Sequence, residues 1–161
     1  MLASSTTIED IETLRKPGTA SLGFFYHDFR NDQKKDHRGL FSSLLVQLCR
    51  QSDSYSDLLT DFYLRHGSGS RKPNDSALIW WLIDVLELPG QAPMYLIVDA
   101  LDECPNTSLP SPRENVLNLF ELIDSHFPNL RTCVTNRPEI DIKLLLEPLA
   151  FRSISLHDER G

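Results

Sequence analysis

Sulfur is scarce in this chain: 161 residues carry three cysteines (Cys49, Cys104 and Cys133) and two methionines. The cysteines are too few and too irregularly placed for a disulfide framework. None has a second Cys or His two to four residues away, which excludes the usual zinc spacing. Reduced, structural thiols are the expectation. Long apolar runs are also missing, and none approaches the ~20 residues that span a bilayer. The start, Met1-Leu2-Ala3-Ser4-Ser5, has neither the charged segment nor the apolar core of a secretion signal. No Lys/Arg-rich block occurs, and the net charge of −7 offers no field to attract nucleic acid. These absences point away from membrane and nucleic-acid partners and toward a cytoplasmic protein.

What is present is ordinary for a globular domain: 40% hydrophobic and 24% charged residues. Apolar periodicity alternates between helix and strand. Residues 5–16 read as a polar helix with Ile8, Ile11 and Leu14 on one side, stopped by Pro17-Gly18. A strand dense in aromatics runs from Leu22 to Phe29. Helical spacing follows at 38–51 (Leu40, Phe41, Leu44, Leu45, Leu48) and at 54–66 (Tyr55, Leu58, Leu59, Phe62, Tyr63). After a Gly/Ser loop, Asn74 or Asp75 can cap a helix that runs to Pro89-Gly90. Met94 to Val98 is a short, wholly apolar strand. A proline-rich loop, a helix at 113–126, a strand at 130–135, a helix at 139–147 and a strand at 152–156 complete the pattern. Strands separated by helices predict one α/β domain over 1–161, with a parallel sheet covered on both faces. Of Trp80-Trp81, one is expected in the core and the other half-exposed. The five histidines are scattered without ligand spacing and are assigned no role.

The sharpest signal is Met94-Tyr95-Leu96-Ile97-Val98-Asp99-Ala100-Leu101-Asp102-Glu103. In a parallel α/β sheet, ligands bind beyond the carboxyl ends of the strands, and Asp99 falls at such an end. Three acids within five residues repel one another and are easiest to keep ionised beside a cation; hard oxygen ligands suit Mg²⁺. The plain structural alternative is that Asp99 and Asp102 cap a turn while Glu103 is solvated. The run resembles the extended Walker B motif of NACHT domains, and in particular the nephrocystin-3-like N-terminal domains of fungal NLR-like proteins, which are STAND-class P-loop NTPases. The resemblance implies that Asp99 holds Mg²⁺ through a bound water. It implies that Ala100 is the small residue of the motif, and that Asp102 and Glu103 position or activate the attacking water. Spacing leaves open which of these two is the base.

A second motif, Leu130-Arg131-Thr132-Cys133-Val134-Thr135-Asn136-Arg137-Pro138, is a short strand ending in polar groups and a cation. Thr135, Asn136 and Arg137 resemble the sensor-1 segment of NACHT domains, commonly Thr-Ser-Arg-Pro, with Asn136 in place of the Ser. Arg137 suits a γ-phosphate because its planar fork gives permanently charged, bidentate contacts. The plain alternative is a surface arginine before a proline turn. Phe24 to Arg30, Leu40 to Leu48 and Pro89-Gly90-Gln91 resemble core segments of the same family.

One part of that family's pattern is missing. Its phosphate loop has the form G-x-x-x-x-G-K-[ST], and the sequence has no Gly-Lys pair. Residues 1–10 resemble the helix that follows this loop. The expectation is therefore a partial P-loop NTPase-like sandwich that lacks the first, central strand and the loop. Such a chain is expected to show two exposed strand edges or re-paired strands. Mg²⁺ with ATP or GTP is the cofactor implied for the intact domain, with little binding or hydrolysis by this chain alone. Three functions follow. The first is part of a signalling NTPase with protein partners or self-association. The second is a non-enzymatic interaction module or decoy. The third is an unrelated α/β domain with a carboxylate metal site.

Overall fold

An apolar run with no polar face needs cover on both sides, and the Met94 segment becomes the middle strand. The computed structural model describes residues 2–15, 19–89 and 92–150. Strand β2 (Met94–Asp99) lies between β1 (Ser21–Tyr26) and β3 (Leu130–Val134), and both pairings are parallel. Gly23 lies level with Leu96, and Ile97 with Cys133. The β1–β2 connection carries α2 (His37–Cys49), α3 (Asp53–Arg65) and α4 (Asp75–Glu87). The β2–β3 connection carries a 3₁₀ turn (Leu101–Glu103) and α5 (Pro112–His126), and α6 (Ile140–Leu146) follows β3.

One face of the sheet holds the main core. Phe41, Leu44, Leu82, Val85, Val116 and Phe120 from the helices pack on Leu96 and Val98. The opposite face is covered by α1 (Leu2–Arg15), whose Ile11 joins Leu22 and Ile97 in a small cluster bordered by Ile8 and Tyr95. The side chain of Leu14 lies outside the described residues. Helices flank both faces, as the sequence predicts, but unequally. Phe24, Arg131 and Cys133 share the α1 face by register and remain exposed. Trp81 is buried and Trp80 is exposed, as expected for the pair. Among the described residues no helix is long and apolar enough to cross a membrane.

Two boundaries move for identifiable reasons. Strand β1 ends at Tyr26, not Phe29. The Asp28 carboxylate accepts the Arg30 amide at 3.0 Å, and the Lys34 carbonyl accepts the Asp28 amide at 3.0 Å. This Asx-type turn takes the backbone out of the ladder. Helix α5 begins at Pro112 because Ser111 and Glu114 form a reciprocal capping box with Pro at the first turn. The strand predicted at 152–156 lies outside the described residues.

Where bare edges or re-paired strands are expected, the edge of β1 is covered by side chains from the last turn of α2 and just beyond it. Gln51 accepts the Leu22 amide at 2.9 Å and donates to the Leu22 carbonyl at 2.5 Å. Gln47 does the same for Phe24, at 3.0 and 2.7 Å. Two glutamines one helical turn apart thus satisfy alternate residues of the strand, as a neighbouring strand would. On the edge of β3, Arg131 donates to the Leu130 carbonyl at 3.3 Å, and Arg131, Thr132 and Cys133 are exposed. Replacing Gln47 and Gln51 together by Ala is expected to leave four β1 backbone groups to water or to another chain, and so to promote self-association. Light scattering across a concentration series checks this; a variant as monodisperse as the parent refutes it.

Candidate functional site

Because all three strands run parallel, their carboxyl ends share one rim. Asp99 ends β2 opposite Tyr26 of β1, and Val98 is level with Val134, so Thr135 follows directly beside Asp99. The Thr135 hydroxyl donates to the Asp99 carboxylate. The Ala100 amide lies 3.0 Å from Asp99 Oδ1 and 3.1 Å from Thr135 Oγ1. The Thr135 amide donates to the Val98 carbonyl at 2.9 Å, and the Leu101 amide to the Thr135 carbonyl at 3.0 Å. The two strand ends are therefore stitched together residue by residue.

Ala100 turns the chain out of the strand with φ 56° and ψ 47°. This left-handed conformation disfavours branched and bulky side chains, which gives the small residue a conformational reason independent of any ligand. The following turn buries Leu101 in the main core and leaves Asp102 and Glu103 half-buried at the rim. Asp102 Oδ1 accepts the Arg137 amide at 2.9 Å, and Arg137 Nε lies 3.5 Å from Asp102 Oδ2. The Asp102 side chain is only 8% exposed, whereas that of Arg137 is 83% exposed. The guanidinium reaches solvent from a backbone fixed to the acidic turn. Glu103 turns the other way and accepts the Phe29 amide at 3.4 Å. Asn136 is exposed, and its side-chain amide donates to the Arg137 carbonyl at 2.7 Å, so it faces its own loop rather than the acids.

The sequence-predicted residues therefore meet in pairs, Asp99 with Thr135 and Asp102 with Arg137, while Glu103 and Asn136 face elsewhere. Among the described residues no three His, Cys, Asp or Glu side chains form a group able to hold a metal ion. A cage of three carboxylates does not fit here. A single carboxylate backed by a hydroxyl does suit Mg²⁺, which keeps several waters and needs one or two carboxylates beside phosphate oxygens. The rim is electronegative. The Tyr26 hydroxyl is pushed above its ordinary pKa by burial and then by Glu103, Asp99 and Asp28. Cys104, buried beneath the turn, is pushed up to about 12 by burial and is inert as a thiol.

Two residues of the site escaped the sequence reading. Arg113, near the start of α5, is buried and donates to the Cys104 carbonyl (3.0 Å), the Asp102 carbonyl (2.6 Å), Asp141 (3.1 Å) and Glu139. A cation there opposes the helix macrodipole, and that oddity is the one signal the sequence offers. His27, directly after β1, is fully buried against the edge of Phe25 at 4.9 Å. Neither of its ring nitrogens has a well-formed hydrogen bond among the described residues. Its amide donates to the Asp99 carbonyl at 3.0 Å, which ties it to the same rim.

The family model described as "Nephrocystin 3, N-terminal" matches residues 1–137. No curated protein and no solved structure matches the chain. The match spans β1, β2, the acidic turn and β3, and ends on Arg137. The chain belongs to the nephrocystin-3 N-terminal family.

Proposed function

We propose that the rim at the carboxyl ends of β2 and β3 is the magnesium- and γ-phosphate-facing part of a nucleotide site, in a signalling NTPase of the NACHT type. One observation carries the reading: Asp102 and Arg137, 35 residues apart in sequence, are bonded to one another at the sheet end where nucleotides bind in parallel folds. Asp99 would hold Mg²⁺ through a bound water, with Thr135 orienting the carboxylate. The ion, when bound, neutralises charge on the phosphate oxygens. Asp102 would lie beside the place of the attacking water, which Glu103 would reach only by releasing the Phe29 amide, and Arg137 has the exposure and the planar fork to meet a γ-phosphate. Asn136 would join only by releasing the Arg137 carbonyl.

No Gly-Lys pair exists in these residues, so the phosphate cradle must come from outside them. Calorimetry of MgATP and MgGTP is therefore expected to give no micromolar affinity for the 161-residue chain. Binding is expected when the loop is supplied by an extended chain, and Asp99→Ala in that chain should weaken it by about tenfold or more, the usual scale for a lost metal-site contact. Micromolar binding by the short chain, or indifference to Asp99→Ala, refutes the proposal. A second reading is a non-enzymatic interaction module. It is favoured by one specific observation: Asp99, Asp102 and Glu103 each already have a protein donor. Retained capture of loop-containing relatives, with nucleotide binding indifferent to Asp99→Ala, selects it.

A further inference from the structure

The geometry points to Arg113 as the positioning residue that holds the Asp102–Arg137 pair in register; this rests on the rim being the nucleotide-facing site proposed above. Two segments converge there: the acidic turn 102–104, and the chain after β3 at 137–141. Asp102 and Arg137 make one link between them, from the Arg137 amide to the Asp102 carboxylate. Arg113 makes the other. Its Nη2 and Nε grip the backbone carbonyls of Asp102 and Cys104, and its Nη1 meets the carboxylates of Glu139 and Asp141. A single guanidinium thus spans both segments beside the Asp102–Arg137 pair.

Its placement favours this role over a general structural one. Arg113 is only 6% exposed on its side chain, so it touches no ligand at the rim. It occupies the first turn of α5, where the helix dipole disfavours a cation, and the two acids beyond β3 offset that penalty. The fixed fork of the guanidinium bonds two carbonyls and two carboxylates at once; a lysine ammonium offers three donors on a flexible stem. Arg113 fixes the Asp102 carbonyl, hence the turn, hence the carboxylate that receives the Arg137 amide. It therefore sets the point from which the exposed Arg137 side chain reaches outward.

The test is amide NMR on the 161-residue chain, with no nucleotide present. In the parent, the Arg137 amide proton should resonate downfield, as an amide bonded to a carboxylate does, and should exchange slowly with solvent. In Arg113→Met that downfield displacement should shrink by about half or more and exchange should quicken by about tenfold, while the Leu96 and Val98 amides keep their parent behaviour. Arg113→Lys should show the same loss, since it keeps charge without the fork. Parent-like Arg137 behaviour in Arg113→Met overturns the inference. Where Arg113→Met does not fold, Arg113→Lys carries the test: quickened exchange of the Arg137 amide supports the clamp, and parent-like exchange overturns it. Neither readout involves nucleotide, so failure of the nucleotide reading through Asp99→Ala leaves this result standing.

Discussion

His27→Leu is expected to flatten the acid limb of the stability curve and to raise stability most at low pH. In the folded chain His27 is held neutral, its pKa lowered to about 4, chiefly by burial and further by Arg113; the Lys34 backbone, Asp36 and Asp102 pull the other way. In the unfolded chain an imidazole takes up a proton near the ordinary value of about 6.5. Between those two values the unfolded state binds more protons than the folded one, so stability falls as pH drops from about 6.5 toward 4 and levels off below. The full difference corresponds to about 3 kcal/mol, a large share of the 5–15 kcal/mol that holds a typical domain together. Leucine has nearly the same volume and no proton to gain. It also removes two buried nitrogens that lack well-formed bonds, each of which costs roughly 1–3 kcal/mol when unsatisfied. Urea unfolding of parent and variant near neutrality and near pH 4 measures the gap, which should widen on the acid side. Parallel curves would show that His27 finds a partner or a route to solvent in the folded chain.

That residue also marks how far the sequence could be read. The middle strand was legible because five consecutive apolar residues admit only a doubly covered position. Helix α2 was legible because Leu40, Phe41, Leu44, Leu45 and Leu48 repeat at helical spacing, and all five are buried. The rim followed from the same logic: a parallel sheet brings strand ends together, so Asp99 and Thr135 had to be neighbours once both strands were placed. Side-chain partnerships were not legible. Phe29 to Glu103 and Arg113 to Glu139 join residues 74 and 26 apart, and no local pattern announces either. His27 carried no signal because nothing at its own position distinguishes a buried histidine from an exposed one. The closed β1 edge was missed for a related reason. Gln47 and Gln51 sit at ordinary helical spacing and read as a polar face, until β1 is seen to run beneath them.

Arg113→Met should destabilise the chain by about 3 kcal/mol, at the lower end of what breaking a buried ion pair costs. The lower end follows from an asymmetry of burial. The Arg113 side chain is 6% exposed, but Glu139 and Asp141 are 42% and 37% exposed. Once the cation is gone, the two acids can turn to water and need not remain as stranded buried charges. The carbonyls of Asp102 and Cys104 have no such freedom. They lose their guanidinium donors at 2.6 and 3.0 Å, and each orphaned acceptor costs roughly 1–3 kcal/mol. Most of the loss should therefore lie on the carbonyl side of the clamp. Urea unfolding of Arg113→Met, of Glu139→Gln/Asp141→Asn and of the triple variant closes a mutant cycle that separates the two sides. A coupling of about 1 kcal/mol, well below the cost of Arg113→Met alone, fits carbonyl satisfaction as the larger part. A single-variant loss below about 1 kcal/mol would make Arg113 no more than a surface pair, and its burial beneath the acidic turn would then have no energetic consequence.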